Sequence, residues 1–104
     1  MSDLQIHVRE GASIVEIALD GEMDFEDCAE AQSVLEAACD GRSPEVVIDL
    51  SRLEFLDSSG IRVLLRAAEA ATRSHTKFSV RAPTEAVEYI LDSTAVTPLL
   101  FRCP

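Results

Sequence analysis

The residues best suited to chemistry are two adjacent serines in the run Asp57-Ser58-Ser59-Gly60, directly before an apolar segment with helical spacing. At a helix N-terminus the first backbone N–H groups have no partner within the helix, and the helix dipole favours negative charge. A serine hydroxyl at this position can therefore carry a phosphate whose charge the helix stabilises. Aspartate and serine are also preferred helix caps, so the same run is compatible with a purely structural role.

Two strands are predicted at the start of the chain, ahead of these serines. Apolar and polar residues alternate from 4 to 8, the period of a strand with one buried face, which Leu4, Ile6 and Val8 would form. A denser apolar run, Ile14 to Leu19, follows and ends at Asp20-Gly21. The two strands are expected to pair as an antiparallel hairpin.

Between Asp24 and Asp40 the apolar residues recur with the period of a helix, and Asp24 is well placed to cap it. The predicted buried side of this helix contains Cys28, Ala31, Val34, Leu35 and Ala38. The β-branched run Val46–Leu50 then predicts a parallel strand in the centre of a sheet, covered on both faces.

The segment after Gly60 predicts an amphipathic helix with a charged stripe that begins beside Ser58. Its buried face is predicted to contain Ile61, Leu64, Leu65 and Ala68. The charged stripe consists of Arg62, Arg66, Glu69 and Arg73.

The last third of the chain predicts a strand over 77–81 with Phe78 and Val80 inward, and a short helix opened by Pro83-Thr84. Val87, Ile90 and Leu91 would face inward from this helix, and residues 98–101 are predicted to add a short strand. The element order predicts a single α/β domain: a mostly parallel central sheet of four to five strands with an antiparallel N-terminal hairpin, and helices packed against it.

Composition narrows the possible partners. The 104 residues carry nineteen acids and nine bases, a formal charge of -10 that repels nucleic acid and anionic membrane surfaces. The three cysteines, Cys28, Cys39 and Cys103, show neither CxxC spacing nor the histidines of a zinc site, so free thiols and no metal are expected. With no signal peptide or membrane-spanning run in the sequence, a cytoplasmic protein is expected.

Three motifs in order carry a family resemblance: Gly21-Glu22-Met23-Asp24, Val47-Ile48-Asp49-Leu50 and Phe55 to Gly60. Together they resemble the STAS domain family, and more narrowly the stand-alone bacterial anti-sigma factor antagonists, or anti-anti-sigma factors. The similarity extends from about Leu4 to Phe101. It implies one STAS domain over residues 1–104, without the C-terminal helix of many relatives.

The resemblance implies a partner-switching function in transcription regulation, such as stress response or sporulation signalling. The unmodified protein would bind an anti-sigma factor with a GHKL-type serine kinase fold and release a sigma factor. Phosphorylation of Ser58 would end that complex, and a PP2C-type phosphatase would reverse it. No cofactor and no catalytic residue of its own are implied.

The surface that the resemblance assigns to the partner surrounds Ser58. It comprises Asp24, Asp57, Ser59, Gly60, Ile61, Arg62 and Arg66. Many family members have a small residue where this chain has Arg62, and a guanidinium there is expected to contact the phosphate or to alter partner choice.

Three alternatives have different sequence requirements. A serine hydrolase needs a base beside Ser58, but the two histidines, His7 and His75, lie in other predicted elements, and there is no G-x-S-x-G motif. A receiver domain phosphorylated on Asp49 would need an acidic pair after the first strand, where Arg9-Glu10 stands instead. A STAS domain that acts as a constitutive binding subunit of a signalling scaffold or transporter, with Ser58 unmodified, meets every requirement.

Overall fold

A computed structural model describes residues 4–93 and 102–103, which form an α/β domain built on one sheet. The strands are β1 (Leu4–Glu10), β2 (Ile14–Met23), β3 (Glu45–Leu56), β4 (Lys77–Arg81) and β5 (Arg102–Cys103). The helices are α1 (Cys28–Ala38), preceded by a 3-10 turn (Phe25–Asp27), α2 (Ser58–Arg73) and α3 (Glu85–Ser93).

The sheet has the order β1-β2-β3-β4-β5, with β1 antiparallel to β2 and every other neighbouring pair parallel. The predicted fold class, with its N-terminal hairpin and central third strand, is confirmed. Residues 98–101, predicted as a last strand, lie outside the described residues.

The edge strand β1 departs from its predicted burial. Leu4 is buried as expected, but Val8 is 49% exposed, so its predicted inward position was wrong. Val8 lines an open groove of about 460 Å³ between the β1–β2 hairpin and the C-terminal half of α1. The alternating pattern identified the face of the strand, but the helices do not cover that face to its end.

Strands β2 and β3 are both longer than predicted, and this extension positions the site. The prediction that Asp20-Gly21 ends β2 was wrong, because Gly21 takes a φ of 108° and the strand continues to Met23. Two register shifts give β3 two extra residues over this stretch, after which Met23 pairs with Leu56. The chain therefore leaves both strands at the same end of the sheet.

The core lies where α1 and α2 pack on one another and on the sheet. Ile61 and Leu64 are buried as predicted, whereas Leu65 and Ala68 are only partly buried. Residues outside the predicted stripe complete the buried face of α2: Val63, Ala67 and Ala71. The buried face is wider than predicted because α2 contacts both α1 and the strands β3 and β4.

The remaining elements follow the sequence pattern closely. Val87 and Leu91 of α3 are buried and Ile90 partly so, as predicted. In β4, Phe78 and Val80 are buried, but Ser79 between them is buried too, so this strand does not expose its alternate face there. None of the helices in the described parts of the chain is long and apolar enough to cross a membrane.

Candidate functional site

The site is built where β2 and β3 end side by side. The backbone N–H of Asp57 donates to the carbonyl oxygen of Met23, with an N···O distance of 3.4 Å. Asp24, the residue after Met23, therefore leaves the sheet beside Asp57. The two segments that the sequence motifs singled out are adjacent in space.

Asp57 is the N-cap of α2. Its Oδ1 accepts a hydrogen bond from the Gly60 N–H at 3.1 Å, and its carbonyl oxygen accepts from the Ile61 N–H at 3.0 Å. Ser58 is the first residue of the helix and is exposed. Its hydroxyl makes no hydrogen bond to any residue that the structure describes. Capping is thus performed by Asp57, and the Ser58 hydroxyl faces solvent.

Asp24 caps the 3-10 turn in front of α1. Its Oδ1 accepts from the Glu26 N–H at 3.0 Å, and its carbonyl oxygen accepts from the Asp27 N–H at 3.1 Å. The Cys28 thiol also donates to that carbonyl oxygen, at 3.1 Å. The predicted capping role is therefore confirmed, although the residue caps the turn and α1 itself begins at Cys28.

The pKa of the Cys28 thiol is affected by the carboxylates at this end of the sheet. Burial raises the pKa of its thiol, and the carboxylates of Asp57, Asp27 and Asp24 raise it further. All three carboxylates therefore lie close enough to act on this thiol, and those of Asp24 and Asp57 bring negative charge to the surface beside Ser58. Such a surface disfavours a further negative charge from outside and favours a basic partner.

Gly60 and Ile61, two of the predicted contact residues, lie inside the domain. A Cβ on Gly60 would lie 3.1 Å from Leu56 Cβ and 3.2 Å from Met23 Cε, and Ile61 is only 7% exposed. Gly60 allows the first turn of α2 to approach the ends of β2 and β3. The surface open to a partner consists of the remaining predicted residues: Asp24, Asp57, Ser59, Arg62 and Arg66.

The charged stripe of α2 is exposed as predicted, beginning with Arg62 and Arg66. Arg66 Nη1 donates to Gln32 Oε1 of α1 at 3.5 Å. Arg62 forms no hydrogen bond or ion pair with any residue in the described part of the chain. Its guanidinium is free to bind an anionic group near the start of α2.

Phe25 is an exposed aromatic residue beside the site that was not among the predicted site residues. Phe25, directly after Asp24, is 78% exposed. The sequence indicates this exposure, because Phe25 lies off the apolar face of the helical segment that follows it. Exposed aromatic side chains are enriched in protein interfaces, so Phe25 extends the candidate surface.

Neither histidine of the chain is placed by the described elements to act as a base for Ser58. His75 follows the far end of α2, and His7 lies on β1, separated from β3 by β2. No group of histidine, cysteine, aspartate or glutamate side chains in residues 4–93 is arranged to hold a metal ion. The arrangement presents a hydroxyl on a charged surface, and this is suited to binding and modification.

Comparison with known proteins decides the family. The family model described as "Mlab, STAS domain" matches residues 6–100. The chain belongs to the STAS family. The resemblance read from the three sequence motifs is thereby confirmed.

Solved STAS structures resemble this STAS domain over nearly its whole length. An anti-sigma factor antagonist from Mycobacterium paratuberculosis has 25% identity and a TM-score of 0.86, covering 97% of this chain and 86% of its own. One from Planctomyces limnophilus has 24% identity and a TM-score of 0.82, covering 93% and 87%. The phosphorylated form of the Bacillus cell fate determinant SpoIIAA has 18% identity and a TM-score of 0.74, covering 96% and 92%. No curated protein sequence matches this chain.

Proposed function

We propose that this STAS domain is an anti-sigma factor antagonist controlled by phosphorylation of Ser58. In the unmodified state it binds an anti-sigma factor with a GHKL-type serine kinase fold and frees the sigma factor held by that protein. The kinase transfers the γ-phosphoryl group of ATP to Ser58 Oγ, with loss of the hydroxyl proton and release of ADP. A PP2C-type phosphatase hydrolyses the phosphoserine and restores binding.

The observation that carries this proposal is the exposed Ser58 hydroxyl, which begins α2 but takes no part in its cap. A phosphate can be added there without breaking the hydrogen bonds that Asp57 accepts from the Gly60 and Ile61 N–H groups at the start of the helix. The N-terminus of α2 stabilises its charge, so the domain stays folded after modification. The similarity to antagonist structures, among them SpoIIAA in a phosphorylated form, supports the same role.

Phosphorylation would act through the partner surface. The phosphate brings about -1.5 to -2 charges to a surface that already carries Asp24 and Asp57. A partner that fitted the bare hydroxyl and these two carboxylates would then meet excess negative charge and bulk. A penalty of about 3 kcal/mol weakens binding by roughly two orders of magnitude, which is enough for a switch.

The decisive experiment incubates the protein with ATP and each GHKL-type kinase encoded beside its gene, and locates phosphate by mass spectrometry. We expect transfer to Ser58, no transfer to Ser58→Ala, and transfer retained at Ser58 in Ser59→Ala. The Ser58→Ala protein should fold, bind the anti-sigma factor and resist release by ATP. Absence of transfer with every kinase, together with unchanged binding by Ser58→Asp, would refute the proposal; transfer to Ser59 would refute the residue assignment.

A second candidate is a constitutive STAS binding subunit of a signalling scaffold or transporter complex, in which Ser58 is never modified. The description of the matching family model names Mlab and not an antagonist, so the family match alone does not separate the two candidates. The two candidates differ in one measurement. Affinity purification of wild-type and Ser58→Asp protein would recover the same partners for a constitutive subunit, but would lose the partner for a phosphorylation switch.

A further inference from the structure

Building on the proposed phosphorylation of Ser58, we propose that Arg62 binds the phosphate within the same helix and thereby leaves the partner surface when the switch is turned off. Arg62 then has two states. Its guanidinium is available to the anti-sigma factor while Ser58 is unmodified, and it is paired to the phosphate afterwards.

The spacing of the two residues on α2 makes this contact possible. Ser58 is the first residue of the helix and Arg62 stands four positions later, so the two are neighbours on the helix surface. Side chains on a helix lean toward its N-terminus, which directs a long side chain at position 62 back over the first turn. Both residues are exposed, so neither has to leave the core to make the contact.

Arg62 has no acidic partner in residues 4–93, a property that it shares with Arg9, Arg66 and Arg73, although acids outnumber bases by nineteen to nine in the whole chain. Most of the arginines with described side chains are paired with a side-chain oxygen. These are Arg42, Arg52, Arg66 and Arg81. Binding a phosphate would therefore cost Arg62 no existing ion pair.

Two backbone donors complete the phosphate site. The Gly60 and Ile61 N–H groups already donate to Asp57. The N–H groups of Ser58 and Ser59 donate to no acceptor in the described residues. A phosphate on Ser58 Oγ can accept from these N–H groups on one side and from the planar guanidinium of Arg62 on the other.

The consequence is a switch with two components. Phosphorylation adds negative charge beside Asp24 and Asp57, and it also removes a cation from the surface that the anti-sigma factor contacts. If Arg62 contacts an acidic group of the partner, the partner loses that ion pair at the moment when it meets the phosphate. With a small residue at position 62, phosphorylation would add negative charge but remove no cation from the partner surface. With a lysine it would remove the cation less completely, because a guanidinium can bind two phosphate oxygens in a planar, bidentate arrangement.

The test uses phosphoserine installed genetically at position 58 of the full chain, so that it needs no kinase. The pKa of the phosphate, ordinarily about 6, is followed by ³¹P NMR over a pH titration. We expect this pKa to be about 0.3 unit lower in the wild-type background than in Arg62→Gln, because the guanidinium favours the dianion. Arg66→Gln, two helical turns away, is the matched control and should leave the pKa within about 0.1 unit of wild type.

An equal pKa in wild type and Arg62→Gln would overturn the proposal, as would an equal effect of Arg66→Gln, which would indicate only the general field of the helix. Arg62→Lys should give an intermediate value. These results do not depend on whether a kinase modifies Ser58. If no kinase transfers phosphate to Ser58, the proposed function is refuted, but the Arg62 contact can still be measured. If the phosphate pKa is equal in wild type and Arg62→Gln, Arg62 has no part in the mechanism, but the proposed switch still stands.

Discussion

The backbone N–H of Asp57 donates to the Met23 carbonyl oxygen. This hydrogen bond joins the ends of β2 and β3 directly before the residues of the candidate site. Asp24 follows Met23, and Ser58 follows Asp57. The distance between the two motifs is thus set by sheet pairing and not by loop conformation. We expect a site held this way to keep its shape if Ser58 is phosphorylated as proposed.

Removal of the Asp57 cap should destabilise the fold. Asp57→Ala loses the side-chain bond to the Gly60 N–H, and we expect the free energy of unfolding to fall by about 1 kcal/mol in urea titrations. Asp57→Asn keeps an oxygen at the same position and should unfold within about 0.3 kcal/mol of wild type. Equal losses in the two variants would show that charge, and not the hydrogen bond, is what Asp57 contributes.

Gly60→Ala tests the close approach of α2 to the strand ends. The added methyl would lie 3.1 Å from Leu56 Cβ and 3.2 Å from Met23 Cε. Overpacking costs about 1–3 kcal/mol, and alanine regains about 1 kcal/mol of helix propensity, so we expect a net loss of about 1 kcal/mol on thermal or urea unfolding. Ser59→Ala, in the same turn, is the control and should change little. A Gly60→Ala protein more stable than wild type would show that Met23 moves aside freely.

Asp49 should make stability depend on pH. Burial acts to raise its pKa, but hydrogen bonds from Ser51 and Arg81 outweigh burial and lower it. The folded pKa lies below the unfolded value of about 3.9, so the ionised carboxylate stabilises the fold above that pH, and the contribution is lost as pH falls through the folded pKa.

We therefore expect Asp49→Asn to be about 1 kcal/mol less stable than wild type at pH 7, with a smaller gap at pH 3, in urea titrations at both pH values. Glu54→Gln, an exposed carboxylate on the same strand, should show a smaller difference at either pH. A gap that stays constant with pH would mean that the pKa of Asp49 is the same in the folded and unfolded states.

Cys39 should act as an internal probe of unfolding. It is 1% exposed, and burial, with lesser effects of Asp40 and Glu36, raises the pKa of its thiol to about 11. In a Cys28→Ser, Cys103→Ser background, iodoacetamide at pH 8 should label it at least about 100-fold more slowly in native protein than in urea, since a free thiol has a pKa of about 8.5. Comparable rates would show that the end of α1 opens readily.

Sequence pattern sufficed for the element order and the fold class because most elements have a clear apolar period and the central strand has a continuous β-branched run. It failed where tertiary packing decides the outcome. The end of β2 was misplaced because Asp20-Gly21 is typical of a turn, whereas the register shifts against β3 accommodate it within the strand. The burial of Ser79 and the exposure of Val8 likewise depend on which elements cover each face of the sheet. The local sequence pattern of a strand does not contain that information.

The candidate site was predictable in part. The preference of aspartate for helix caps anticipated the roles of Asp24 and Asp57, and the helical period placed Arg62 and Arg66 on the exposed face. From the sequence, Gly60 could either let a partner backbone approach closely or ease tight entry of the chain into the helix, and its packing supports the second role. Its neighbours are Met23 and Leu56, and only the extended strands bring those side chains under the turn.

The packing of Gly60 against Met23 and Leu56 bears on protein engineering. A designer who transplants Asp57-Ser58-Ser59-Gly60 onto another helix would transfer the proposed phosphorylation site but not the packing that supports it. The transferable unit is the tetrapeptide together with the paired ends of two parallel strands, bearing Met23 and Leu56, on which the glycine sits. Variants of this site are best made by exchanging the exposed residues around an intact strand pair, with Phe25 and Arg62 as the first positions to vary.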